Sequence, residues 1–227
     1  MSQNTYHILE CNNPDCEFRF PVVVTGKIPR HCPKCGSMLF VAYKNFLSQK
    51  IPREPNPPQS PVLEVLLDNI RSIYNVGSML RSGDGAGIKH FHLAGITATP
   101  EHFKIKKTGL GAESQAPWTY YPNALNAAKA LKNRRLKLWA LEGGEISESI
   151  FNLPDEFWFD EIALVIGNEV SGVDPEILPL CDHIIQIPMQ GMKESLNVAI
   201  AFGIAIYHVR YYQQFKENCN HQNLLRS

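Results

Sequence analysis

No stretch of this sequence stays apolar long enough to span a bilayer. The most apolar run, residues 196–207, ends after twelve residues, well short of the roughly 20 that a membrane helix needs. No basic segment leading into an apolar core follows Met1, so a secretory leader is not expected and a cytoplasmic setting is. Neither sign of charge is in excess, with 22 basic against 22 acidic side chains. Any nucleic-acid surface must therefore be local, because the whole-chain field favours no partner. The glycine-bearing fragments GDGAG (83–87) and GLGAE (109–113) have the spacing of neither G-x-G-x-x-G nor a P-loop, which leaves a dinucleotide or NTP site without support. Internal repeats and low-complexity tracts are also lacking.

Cysteine is present but unevenly spread. Of six, four lie within the first 35 residues, as Cys11 and Cys16, then Cys32 and Cys35. The pairs read C-x4-C and C-x2-C with fifteen residues between them, close to the spacing of four-thiolate zinc sites. Pro14 lies inside the first pair, Pro33 inside the second, and Gly36 follows, so each pair sits on a tight turn. Between them Phe18, Phe20, Val22 and Val24 alternate as in a strand, and 39–41 is a candidate partner strand. A module of about forty residues can hardly hold a core without a staple. A structural zinc ribbon is expected; iron in a rubredoxin-like site is the competing metal, and disulfides are disfavoured in an intracellular setting. Cys181 and Cys219 have no such company and read as isolated small side chains.

At 227 residues the chain fits one ordinary domain plus this small module. Residues 51–61 (IPREPNPPQSP) hold five prolines in eleven positions, which excludes helix and central strand and reads as a stiff linker. The expected division is a ribbon over 1–48, a linker over 49–61, a catalytic-size domain over 62–216 and a tail over 217–227. Beyond the linker, strands and helices alternate as in an α/β domain. Strands are expected at 62–67, 90–94, 137–141 and 162–166, with helices from Asn75 towards 85–87, at about 124–133 and near 175–180. Residues 104–115 read as a loop and Gly143–Gly144 as a turn.

Residues 184–201 (IIQIPMQGMKESLNVAIA) organise the rest. A β-branched run reads as a buried strand that Pro188 stops, and Gly191 permits the turn. Glu194 and Ser195 then open a long apolar helix with Asn197 in its first turn. Strand end, loop and helix start form a pocket able to offer backbone N–H groups and a few polar side chains to a ligand.

Three fragments now align: DNIRSIYNVGSMLRSGDGAGI, with Asn75 and Arg81; LVIGNEVSGVD, where a strand breaks at Gly167 and Glu169 follows; and IPMQGMKESLNVAIA. In this order and spacing they resemble the three motifs of the SpoU (TrmH-like) family of RNA ribose 2′-O-methyltransferases, within the SPOUT superfamily, over roughly residues 62–212. Two departures stand out. The family often has Asp-Pro before the first-motif asparagine where this chain has Ile73-Tyr74, and Val-Ser after the third-motif asparagine where it has Val198-Ala199.

The resemblance implies a SPOUT-type trefoil-knotted α/β domain, which composition and periodicity do not predict, working as a homodimer. It implies S-adenosylmethionine bound at Leu141, Gly167, Ile187, Met189, Ser195 and Leu196, with Gly167 letting the adenine approach the backbone. It places Asn75, Arg81, Glu169, Ser195 and Asn197 in the catalytic set. Arg81 would activate the ribose hydroxyl either as a base or, since a guanidinium hardly deprotonates, by orienting the hydroxyl and a neighbouring phosphate.

RNA (tRNA or rRNA) would meet local charge: Lys104, Lys106 and Lys107 in the glycine-bearing loop, Lys129, Lys132, Arg134, Arg135 and Lys137 at one helix and its exit, and Lys27, Arg30 and Lys34 on the ribbon. The ribbon is expected to recognise the RNA substrate, with a protein-docking module as the alternative. Two function classes remain at this stage, a 2′-O-methyltransferase and a non-catalytic RNA-binding scaffold of the same fold; the full polar set favours the enzyme. From Leu196 to Tyr212 Arg210 is the only side chain with a permanent charge, so the C-terminal helix needs more cover than one small sheet supplies and points to a second copy.

Overall fold

The computed structural model describes residues 5–47, 62–154 and 161–224, with side chains described as far as Tyr212. The chain forms two units, 1–55 and 56–227. Their division falls within the proline-rich linker, all of which lies outside the described residues.

In the first unit β1 (Thr5–Cys11) pairs antiparallel with both β2 (Arg19–Val23) and β3 (Leu39–Leu47). The alternating apolar run supplies β2, as its period predicts; the central strand β1 was not anticipated. Only Leu9, Cys11 and Cys32 are buried among the described residues of this unit. That is a thin core for three strands.

The second unit is built on a seven-stranded sheet containing β4 (Leu63–Asp68), β5 (His90–Ala94), β6 (Trp118–Tyr121), β7 (Lys137–Leu141), β8 (Glu148–Ser149), β9 (Ile162–Ile166) and β10 (His183–Gln186). The order is β6-β5-β4-β9-β7-β10-β8 and every pairing is parallel. Unbroken burial along β4 and β9 is what a strand covered on both faces shows. One face packs Leu63, Val65 and Leu67 against Met79 and Leu80 of α1 (Ile73–Ala86) and Phe202 and Ile206 of α4 (Val198–Leu224). The other packs Leu66, Ala163 and Val165 against Ala127, Ala128 and Leu131 of α3 (Ala124–Asn133). Among the described residues no helix is long and apolar enough to cross a membrane.

Several local expectations change. Asn75 does not cap α1: Ser72 does, its hydroxyl accepting from the Asn75 N–H. Glu194 and Ser195 do not open the last helix, because Asn197 caps α4 by accepting from the N–H groups of Ala199 and Ile200. Residues 104–115 contain α2 (Lys106–Gly109) and a short 3-10 turn. The boundary expected at 216 falls inside α4. Arg210 is 4% exposed and donates from Nε to the Ala86 carbonyl and from Nη2 to that of Gly87, both at 2.8 Å. It thus satisfies the orphan carbonyls at the end of α1.

The basic cluster near the exit of α3 is largely spent within the fold. Arg134 grips the buried Glu64 through two nitrogens at 2.9 and 2.7 Å, while Lys132 and Lys137 pair with Asp182. Burial alone would raise the Glu64 carboxyl, but hydrogen bonds from His92 and Arg134 outweigh it and hold its pKa down from 4.5 to about 2. A carboxyl depressed in the folded state stabilises above its unfolded pKa and loses that contribution as pH falls through the folded value. Stability should therefore drop between about pH 4.5 and 2. In Glu64→Gln this acid limb should flatten while neutral-pH stability falls by about 2–4 kcal/mol. Urea unfolding across that pH range measures both.

Candidate active site

A cavity of about 1080 Å³ opens at the carboxyl ends of β7, β9 and β10, the edge where parallel sheets hold ligands. Each wall comes from a distant piece of sequence: Leu141–Gly143 after β7, Ile166–Val170 after β9, Gln186–Met189 after β10, and Glu194–Val198 before α4. Ser72 and Asn75 complete it from the start of α1. All six residues expected to meet a cofactor, Leu141, Gly167, Ile187, Met189, Ser195 and Leu196, line this cavity, as do Asn75, Glu169 and Asn197. Arg81 does not.

Glu169 is the hub of the polar rim. Its carboxylate accepts from the backbone N–H of Arg71 (2.8 Å) and Ser72 (3.0 Å) and from Asn75 Nδ2 (3.0 Å). Asn75 Oδ1 in turn accepts from Asn197 Nδ2 at 3.2 Å. These contacts give Glu169 the place of an anion at a helix N-terminus. Burial works to raise the Glu169 carboxyl, yet the three donors prevail and keep it below its ordinary range. It is therefore an anion at neutral pH that orients Asn75. Because Asn75 gives its amide N–H to Glu169, its carbonyl oxygen is left to hold Asn197.

Arg81 projects elsewhere. It is exposed and lines a second hollow of about 690 Å³ with Ser78, Lys107, Thr108 and Tyr207.

Gly167 has a packing reason that the sequence did not show. A Cβ there would meet the Gly172 carbonyl carbon and the Val173 nitrogen at 2.2 Å. The chain's own returning backbone fills the space on the Cβ side of the glycine. Glu142 clamps that return by accepting from the Val173 N–H at 2.8 Å. Gly167→Ala should cost at least about 2–3 kcal/mol, since backbone rather than a movable side chain stands in the way. Thermal unfolding of the variant measures this, and an unchanged Tm would refute the packing argument.

Sequence reasoning missed Ser72, Glu142 and Asn168. Asn168 folds the loop after β9 by accepting from Val170 and Ser171 while donating to the Asn69 carbonyl. An asparagine directly after a strand-ending glycine is a turn signal that could have found it. Glu142, one acid beside two glycines, carried no such signal.

In the first unit the four sulfurs of Cys11, Cys16, Cys32 and Cys35 all lie within 4.8 Å of one another, with Cys11–Cys35 at 3.5 Å and Cys16–Cys32 at 3.8 Å. Ligands about 2.3 Å from a tetrahedral zinc stand roughly 3.8 Å apart, so the donor set fits such an ion. Cys181 sits apart, half-buried, with its thiol pushed up to about 12 by burial. The Cys219 side chain lies outside the described residues.

Residues 62–207 match the SpoU rRNA Methylase family. The chain belongs to that family. It is 27% identical over 157 residues to a tRNA (guanosine(18)-2′-O)-methyltransferase of Aquifex aeolicus, covering 68% of this chain and 71% of that one. It is 32% identical over 148 residues to a 23S rRNA (guanosine(2553)-2′-O)-methyltransferase of Bacillus subtilis, covering 64% of this chain but only 57% of the relative. The chain thus spans little more than half of the second enzyme. Among solved structures, the SpoU methyltransferase AviRb of Streptomyces viridochromogenes in complex with AdoMet superposes with a TM-score of 0.61 at 25% identity, over 79% of this chain and 70% of that one.

Proposed function

We propose that this SpoU-family chain transfers a methyl group from S-adenosylmethionine to a ribose 2′-hydroxyl of tRNA or rRNA. The observation that carries the reading is the Glu169–Asn75–Asn197 chain of hydrogen bonds. Three family motifs, the second and third lying 94 and 122 residues beyond Asn75, meet at the rim of one cavity. The relatives named for tRNA and rRNA 2′-O-methylation support the reaction class, and the AdoMet complex of AviRb supports the methyl donor.

The cavity suits a ligand of nucleoside size, with apolar strand-end residues on its walls and polar side chains such as Glu142, Glu169, Gln186 and Ser195 among them. S-adenosylmethionine supplies a methyl group on a positively charged sulfur. Leu141, Gly167, Ile187, Met189 and Leu196 would bind it, and Ser195 stands beside them to orient a polar group. Asn75 and Asn197, locked to Glu169, set the position of the rim on which the ribose approaches.

The chain works as a homodimer in this reading. The open face of α4 carries Ile200, Ile204 and Tyr207 at 57%, 37% and 43% exposure. Their i, i+4, i+7 spacing makes one apolar stripe. Tyr207 also lines the Arg81 hollow, so a partner packed on the stripe would stand against Arg81 and complete a site that one chain leaves open. The trefoil knot is carried over from the family; the sheet order, which takes the chain from β7 to the inserted β9 and back across to β10, supports it. The four thiolates hold zinc in a ribbon.

The test incubates the protein with labelled S-adenosylmethionine and unmodified total RNA, then analyses the nucleosides. A labelled 2′-O-methylnucleoside is expected. Binding of RNA without any transfer would leave the non-catalytic scaffold in its place.

A further inference from the structure

The ribbon sheet has one face turned to its own small core and one left open. Register sets Leu9 opposite Phe20 and Val41, and Leu9 is 1% exposed. Cys11, two residues on, shares that face and leads to the thiol cluster. The opposite face pairs Tyr6 with Val23 and Phe46, Ile8 with Pro21 and Tyr43, and Glu10 with Arg19 and Phe40. Its rings are already arranged side by side. Tyr6 and Phe46 stack at 5.4 Å, and Tyr43 meets Phe46 edge-on at 6.2 Å. Tyr43 and Phe40 remain 58% and 47% exposed.

We propose that this open face, Tyr6, Phe40, Tyr43 and Phe46, stacks unpaired nucleotides of the RNA that the catalytic unit methylates; the inference rests on the function proposed above. Aromatic side chains on a small sheet accept bases because every base has a π face and the rings lose little freedom on binding. The exposed charge of this unit as a whole leans positive, which suits a polyanion. Glu10 is held by Arg19, and among the described residues of the unit exposed Lys27, Arg30, Lys34 and Lys44 outnumber exposed Asp15 and Glu17. A duplex would not suit the face, since its bases are stacked on each other and closed to a flat sheet. A proline-rich linker, eleven residues with five prolines, tethers the platform to the catalytic unit and raises its effective concentration at any RNA held there.

The test uses the full-length chain and the double variant Phe40→Ala/Tyr43→Ala, whose side chains are exposed and outside the thiol cluster. Fluorescence anisotropy compares oligouridine of about twelve nucleotides with a duplex of equal length. The wild type should prefer the single strand, and the variant should lose about 5- to 100-fold in affinity for it with little change on the duplex. Zinc content and S-adenosylmethionine affinity should stay unchanged, and the KM for unmodified RNA should rise while kcat holds. Conservative Tyr43→Trp should retain binding. Equal affinity of wild type and variant for oligouridine, with methylation intact in both, overturns the platform alone and assigns the face to protein docking. A loss shared equally by single strand and duplex also overturns it. No methylation by the wild type sinks the underlying function instead.

Discussion

Replacing Arg81 by alanine should cut turnover about 10²–10⁴-fold, the range for a group that activates a nucleophile, with S-adenosylmethionine affinity within about twofold of normal because no cofactor contact is removed. Arg81 is exposed and absent from the cavity that holds the other motif residues. Ground-state cofactor binding should therefore ignore it, and the loss should appear in kcat. A guanidinium has no lone pair to take a proton at neutral pH, so the role proposed for it is to hold the ribose hydroxyl and an adjacent phosphate in line with the methyl group. Bidentate orientation needs a planar fork, and Arg81→Lys should recover only a small part of the lost rate. Single-turnover methylation together with calorimetric titration of the cofactor separates the two quantities. Unchanged turnover in Arg81→Ala would remove this residue from the chemistry.

Stripping the metal from the ribbon should unfold the first unit and spare the second. Only Leu9, Cys11 and Cys32 are buried there among the described residues, and two of those are metal-site thiols. Burying one leucine is worth about 1.5–3 kcal/mol, whereas a structural zinc supplies about 10–16 kcal/mol of folding free energy to a module of this size. On the proposed zinc assignment, the ion rather than the core holds three strands together. The catalytic unit has its own two-layer core on both faces of the parallel sheet and makes no use of those thiols. A strong chelator, or Cys11→Ser with Cys32→Ser, should abolish the near-ultraviolet signal of the ribbon aromatics. The melting transition of the remainder should stay, and a chain beginning near Ser60 should fold and bind S-adenosylmethionine. Loss of both transitions together would show that the units fold as one.

Much of the fold was legible because long signals survive tertiary context. The strands expected at 62–67 and 162–166 are β4, one residue further on, and β9, and the helix expected at about 124–133 is α3. Short elements failed for lack of signal. β8 is two residues long, and β6 (WTYY) alternates too briefly to stand out beside a glycine-bearing loop. Cap positions failed for a different reason: Ser72, Asn75, Ser195 and Asn197 are all good caps, and only the hydrogen bonds decide which of them act. Asn197 caps α4 and reaches Asn75 at the same time.

The cysteine spacing, the proline-rich boundary and the order of the three motifs were determined by the sequence alone. Each depends on local chemistry: thiols on tight turns, rings that fix φ, and residue types at set intervals. What stands beside Gly167, and which motif residues touch, was decided only by tertiary structure. The glycine serves a backbone that returns five residues later, and no composition rule states where a loop returns. Glu169 could have met any lysine, but the sheet order brings the end of β9 beside the end of β4, and the carboxylate therefore finds three N–H donors at the start of α1. Arg81 is carried out of the cavity by the same helix that brings Asn75 into it. Six residues of α-helix advance about 9 Å and turn through roughly 600°, so two residues of one motif face different surfaces.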